Sequence, residues 1–99
     1  MKLDILAFGA HPDDVELGAA ATIAKEVSLG KKVGIIDLTQ GELGTRGTKE
    51  LRIIEATKAA NILGVAIREN LKFADGFFIN DKMHQLEVIK RIRKYKPEI

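Results

Sequence analysis

The sequence predicts an α/β fold: a parallel sheet with helices alternating along the chain. Three observations carry this. Residues 3–9 and 32–39 are nearly continuous apolar runs of strand length, the pattern of strands buried on both faces. Each is followed by a longer segment, 15–29 or 49–63, whose apolar residues recur at spacings of three and four, the helical period. The two kinds of segment alternate, as βαβ units require.

In order, residues 3–9 form the first strand. Residues 15–29 form a helix whose inner face is expected to hold Val15, Leu17, Ala20, Ala21, Ala24 and Leu29, with Gly30 at its C-terminal cap. Residues 32–39 are the second strand. Residues 40–48 hold Gly41, Gly44 and Gly47, a loop long for a plain βα connection, and long loops at that sheet edge are usually functional. Thr48 can cap a helix over 49–63 with Leu51, Ile54, Ala59, Ile62 and Leu63 inside and Gly64 ending it. Residues 70–73 are expected to be a short third strand, and 74–80 a second loop. Asp81 or a neighbour starts a helix to about Tyr95, which Lys96-Pro97 breaks. Glu98-Ile99 reads as the opening of a fourth strand. The whole is a Rossmann-like arrangement that stops before that strand.

Ninety-nine residues support one domain with one modest core. The formal charge of +2, from 16 basic and 14 acidic residues, implies no partner. Cysteine is absent, which excludes disulfides and thiolate metal sites. No run resembles a signal peptide or a membrane span, and a cytoplasmic location is the default. Lys90, Arg91, Arg93, Lys94 and Lys96 crowd the C-terminus. Without interleaved aromatics beyond Tyr95 they read as a solvated helix face, not a nucleic-acid surface. Phe73, Phe77 and Phe78 read as packing residues.

The chemistry concentrates in Phe8-Gly9-Ala10-His11-Pro12-Asp13-Asp14-Val15-Glu16, where the first strand stops and the first helix starts. Ligands of open α/β sheets bind at such strand ends. Pro12 fixes its own φ and holds His11 extended. His11 and Asp14 can then converge on one ion, leaving Asp13 outside as a general base. Adjacent carboxylates repel unless a cation compensates, which favours a metal or an acid/base role. Helix capping would explain one aspartate, but neither the second nor the histidine. Two ligands are one short of the three that catalytic zinc takes. His84, the other histidine, lies within the last helix and reads as an exposed or half-buried helical residue. Arg46 on the glycine loop and Arg52 in the next helix are the cations best placed to meet an anionic substrate. The glycine spacing is not a dinucleotide fingerprint.

Ala10-His11-Pro12-Asp13-Asp14 followed by Glu16 resembles the zinc-dependent de-N-acetylases of the LmbE-like/PIG-L family. The likeness continues through Asp37-Leu38-Thr39, the loop 41–48, Glu50-Leu51-Arg52 and Ala59-Ala60-Asn61-Ile62-Leu63-Gly64. Within the family the chain looks most like the bacillithiol biosynthesis deacetylases, which act on N-acetylglucosaminyl malate. The resemblance implies zinc, or another divalent metal, held by His11 and Asp14. It implies Asp13 as the base that deprotonates water and Arg52 as a substrate contact. Acetate would be released from an N-acetylglucosamine conjugate. The family's third zinc ligand comes from a His-x-x-His-like motif after the fourth strand. Residues 1–99 are therefore expected to be the N-terminal portion of one such domain, inactive or nearly so alone. Ile53-Ile54 departs from a more polar pair usual there. A family-like strand order of 3-2-1-4 would leave strand 1 as an uncovered edge and favour homo-oligomers.

Two rivals stand beside this reading. A phosphoacceptor receiver domain also has paired aspartates after its first strand, but it needs a phosphorylatable aspartate ending a central third strand. Asp75 is poorly placed for that, and His11-Pro12 has no role there. A non-catalytic sugar-conjugate or protein-interaction module would keep the fold and bind its ligand without metal.

Overall fold

The computed structural model describes all 99 residues. Its elements run β1 (Ile5–Gly9), α1 (Asp14–Ser28), β2 (Val33–Thr39), α2 (Lys49–Leu63), β3 (Ile67–Phe73) and α3 (Lys82–Tyr95). The three strands are parallel in the order β1-β2-β3, with Ala7 opposite Ile35 and Ile35 opposite Arg68. A receiver domain places its first strand between the second and third. Here β2 is central, and that rival is excluded by topology.

The side chains of β2 alternate between two apolar layers. Val33 and Ile35 meet Val15 and Ile23 of α1, with Leu63 of α2 packed beside them. Ile36 points the other way, to Leu3, Leu6 and Tyr95 at the end of α3. Helices therefore cover both faces. Stepping from β1 to β3 uses α1 and α2 on one face, and α3 returns along the other. It delivers residues 98 and 99 to the free edge of β1. The Ile99 amide donates to the Asp4 carbonyl (3.1 Å), and the Leu6 amide donates to the Ile99 carbonyl (2.9 Å). That staggered pair of bonds is the parallel pattern. The strand order thus reverses at β1, the switch point where open α/β sheets bind ligands.

Capping follows the sequence reading. Thr48 Oγ1 accepts from the Leu51 amide at 3.1 Å, and Asp81 accepts from the His84 amide at 3.0 Å. Four expectations need correction. In α1 the inner row is Val15, Ala19, Ile23 and Val27, while Leu17 is 86% exposed and Leu29 is also exposed. Apolar residues surround this helix, so its phase is set by which row offers branched side chains to the sheet. In α2 the buried residues are Ala56 and Ala60; Leu51, Ile54 and Ile62 face solvent. Small residues face the sheet there because α1 and α2 also pack against each other. Strand β3 starts at Ile67, three residues before the expected boundary, because Arg68 is neutralised inside the fold. Finally β1 is not buried on both faces along its length, since Phe8 lies half-open near the sheet edge.

Candidate metal and substrate cleft

Gly9 ends β1 where the first turn of α1 crosses it. A Cβ built there would lie 3.1 Å from Val15 Cγ2 and 3.2 Å from Asp14 Cβ, so a larger residue would push the start of the helix a few tenths of an ångström off the strand. Ala10 is fixed next. Its carbonyl accepts from both the amide (3.0 Å) and the hydroxyl (2.9 Å) of Thr39 at the end of β2. His11 therefore leaves a pinned backbone. Asp13, the residue before α1, has φ 85° and makes no side-chain cap bond. A left-handed non-glycine residue costs on the order of 1 kcal/mol. The strain leaves the Asp13 carboxylate exposed over the cleft, free of any capping role.

His11 and Asp14 come together as expected. His11 Nδ1 lies 3.4 Å from Asp14 Oδ2, and the same oxygen accepts from the His11 amide at 3.0 Å. Two ligands about 2.0–2.1 Å from a tetrahedral ion stand roughly 3.4 Å apart, so imidazole and carboxylate present a nitrogen and an oxygen at the spacing a shared cation requires. No group of three His, Asp or Glu side chains is placed to hold an ion.

The other imidazole nitrogen finds a partner that sequence reading missed. His11 Nε2 lies 2.7 Å from Oδ1 of Asp75, a residue only 6% exposed. Asp75 Oδ2 accepts from the Leu43 amide at 3.0 Å, and Glu42 accepts from the Asp75 amide at 2.9 Å. The Leu43 amide first, then the His11 ring, hold the Asp75 carboxyl below the usual aspartate range despite the opposing effect of burial. Burial alone would lower the His11 imidazole; Asp75 and then Asp14 outweigh it, and its pKa is raised. Asp75 was legible only as an acidic residue after β3, at the same sheet edge as the other two loops.

These loops enclose an open cleft of about 510 Å³ lined by His11, Asp13, Asp14, Arg52 and Asp75, among others, with Leu17 and Leu43 as its apolar residues. The Arg52 guanidinium packs against the glycine loop. A Cβ on Gly44 would stand 2.5 Å from Arg52 Nη2, and one on Gly41 3.1 Å from Nη1. The two glycines thus make the slot in which this cation sits without an ion pair of its own. Arg46 is exposed and borders an adjoining depression with Asp13 and Arg52. His84 lies outside the cleft. Its ring bonds Asp81 and packs edge-on against Phe73, with centroids 4.5 Å apart, in a groove beside α3.

Beneath the cleft a second missed feature ties the scaffold together. Arg68 of β3 donates from Nε and Nη2 to Asp37 (2.8 and 2.9 Å) and from Nη1 and Nη2 to Glu16 (2.9 and 3.0 Å). Glu16 lies two residues after Asp14, so this pairing anchors the turn that carries the ligands.

A family model described as PIG-L: GlcNAc-PI de-N-acetylase matches residues 6–99. The chain belongs to the PIG-L family. The uncharacterized deacetylase YaiS of Escherichia coli is 40% identical over 86% of this chain and 47% of its own length. Diacetylchitobiose deacetylase of Thermococcus kodakarensis is 33% identical over 96% of this chain and 38% of its own. The chain thus spans less than half the length of these curated relatives. Among solved structures, the conserved protein TT1542 of Thermus thermophilus superposes with a TM-score of 0.89 at 41% identity, over 96% of this chain and 43% of that one. The 4-carboxy-2-hydroxymuconate hydratase GalB superposes at 0.85 with 27% identity, over all of this chain and 45% of its own. No helix is long and apolar enough to cross a membrane.

Proposed function

We propose that this chain carries the metal- and substrate-binding half of a zinc-dependent N-deacetylase acting on an N-acetylglucosamine conjugate, with N-acetylglucosaminyl malate as the substrate. The facing of His11 Nδ1 and Asp14 Oδ2, with Nε2 tied off by Asp75, carries this reading. Family membership supports the reaction class. His11 and Asp14 would hold the ion, which when bound supplies Lewis acidity toward water and the acetamide carbonyl. Asp13, free of capping bonds, takes the proton of the attacking water. Arg52, unpaired in its glycine slot, receives the anionic part of the substrate, and Arg46 extends that positive rim. The products are acetate and a free glucosaminyl amine. The compartment is the cytoplasm, where such a small conjugate would be made. With two ligands of its own, the 99-residue chain is expected to turn over little.

The test is zinc per chain after dialysis, together with acetate release from N-acetylglucosaminyl malate, for the chain and its His11→Ala variant. Zinc retention that depends on His11 supports the reading. Equal retention in both proteins, or measurable acetate release that is undiminished in the variant, refutes it. The hydratase neighbour shows that this fold also hosts water addition; an unsaturated hydroxy acid consumed without acetate release would favour that reaction instead.

A further inference from the structure

We infer that Asp75 is a positioning residue that fixes which nitrogen of His11 faces the cleft and locks the glycine loop to the same carboxylate. Each of its oxygens has one task. Oδ1 takes His11 Nε2 at 2.7 Å, and Oδ2 takes the Leu43 amide at 3.0 Å. Its own amide is held by Glu42 at 2.9 Å. Leu43 lies between Gly41 and Gly44, the two residues against which Arg52 packs. One side chain therefore joins the β1, β2 and β3 loops, and it links the imidazole to the slot holding the cleft's unpaired cation.

The geometry also decides the neutral form of the ring. Two carboxylates compete for its single proton: Asp75 at 2.7 Å from Nε2 and Asp14 at 3.4 Å from Nδ1. The shorter contact wins. The proton sits on Nε2, and the Nδ1 lone pair is left toward Asp14 and the cleft. A carboxylate that fixes the tautomer of a ligating histidine is worth about 10–100-fold in metal affinity. The role rests on the metal-site reading for that consequence, whereas the tautomer exists without metal.

The experiment uses the metal-free chain above the histidine titration, with ring ¹⁵N shifts recorded and His84→Gln used to assign the two histidines. The unsubstituted chain is expected to hold His11 as the Nε2–H form. In Asp75→Asn the amide has one acceptor and one donor. Its oxygen takes the Leu43 amide, its nitrogen faces Nε2, and the proton is driven to Nδ1. The shifts should exchange, and zinc affinity by chelator competition should fall about 10–100-fold. Glu42→Gln, which leaves the His11–Asp75 contact in place, should keep the Nε2–H form and serves if Asp75→Asn does not fold. An Nδ1–H ring in the unsubstituted chain, or in Glu42→Gln, overturns the assignment. So does an Asp75→Asn chain that keeps both the Nε2–H form and its zinc affinity. If the exchange occurs but zinc retention does not depend on His11, the function proposed above fails and the tautomer-fixing role stands.

Discussion

Replacing Arg68 with alanine is the perturbation that most directly tests how this scaffold holds its ligand turn. The side chain is 8% exposed and bridges Asp37, 3% exposed, to Glu16, 15% exposed. Truncation removes four charge-assisted hydrogen bonds to these two carboxylates. Removing one partner of a buried pair costs about 3–5 kcal/mol, because the other charge stays buried and uncompensated. Glu16 can turn toward water and Asp37 cannot, so the expected loss is about 3–4 kcal/mol. A domain this small has a net stability nearer ~5 than ~15 kcal/mol, which would leave the variant marginal. Urea denaturation reads the loss as a fall in midpoint. Burial pushes the Asp37 carboxyl up, and the Arg68 hydrogen bonds only partly offset it. With its folded pKa above 3.8, stabilisation from protonating Asp37 is complete below that value and lost as pH rises through the folded one. Ionised Asp37 without Arg68 is worse still, so the penalty of Arg68→Ala should be smallest in acid and grow toward neutrality. Adding Asp37→Asn to the variant should recover part of the loss at neutral pH. A loss below ~1 kcal/mol, or one that neither varies with pH nor responds to Asp37→Asn, would refute the reasoning.

Three further outcomes follow from the same contacts. In the metal-free chain His11 is raised above 6.5, so its stabilisation is complete below 6.5 and lost as pH rises through the folded value. Asp75 is lowered below 3.8, so its stabilisation is present above 3.8 and lost as pH falls through the folded value. His11→Ala should therefore lower Tm most between 3.8 and 6.5; an equal Tm difference above the histidine range would contradict the pair. Gly44→Ala should displace Arg52, whose Nη2 would stand 2.5 Å from the added Cβ, and should also lower stability because the Gly41 carbonyl at 3.1 Å must give way. The affinity for L-malate, read from amide shifts in the glycine loop, should fall about tenfold; unchanged affinity would remove Arg52 from anion recognition. Ile99 covers only the start of the β1 edge, and Phe8 beyond it is half-open at 36% exposure. We expect the 99-residue chain to self-associate and Phe8→Lys to restore a monomer. A monomeric parent chain in sedimentation would oppose this.

The sequence by itself determined the alternation of strands and helices, the caps at Thr48 and Asp81 and the grouping of His11, Asp13 and Asp14 at a strand end. These are local properties: apolar period, side-chain capping chemistry, and a proline that stiffens one turn. Helix phase was not local. Apolar residues lie all round α1 and α2, and which row turns inward was decided by packing against the sheet and between the helices. The start of β3 was hidden for an electrostatic reason. Arg68 reads as a loop residue until Asp37 and Glu16, 31 and 52 positions away, neutralise it inside the fold. Asp75 was hidden in the same way. It lies 64 residues from His11, and only the parallel order β1-β2-β3, which gathers three loops at one sheet edge, turns an aspartate weighed in sequence only as a poorly placed phosphoacceptor into the partner of the imidazole. Sequence sets which groups are available; the long-range contacts that pair a buried charge or aim a ring nitrogen are made only when the sheet brings distant loops together.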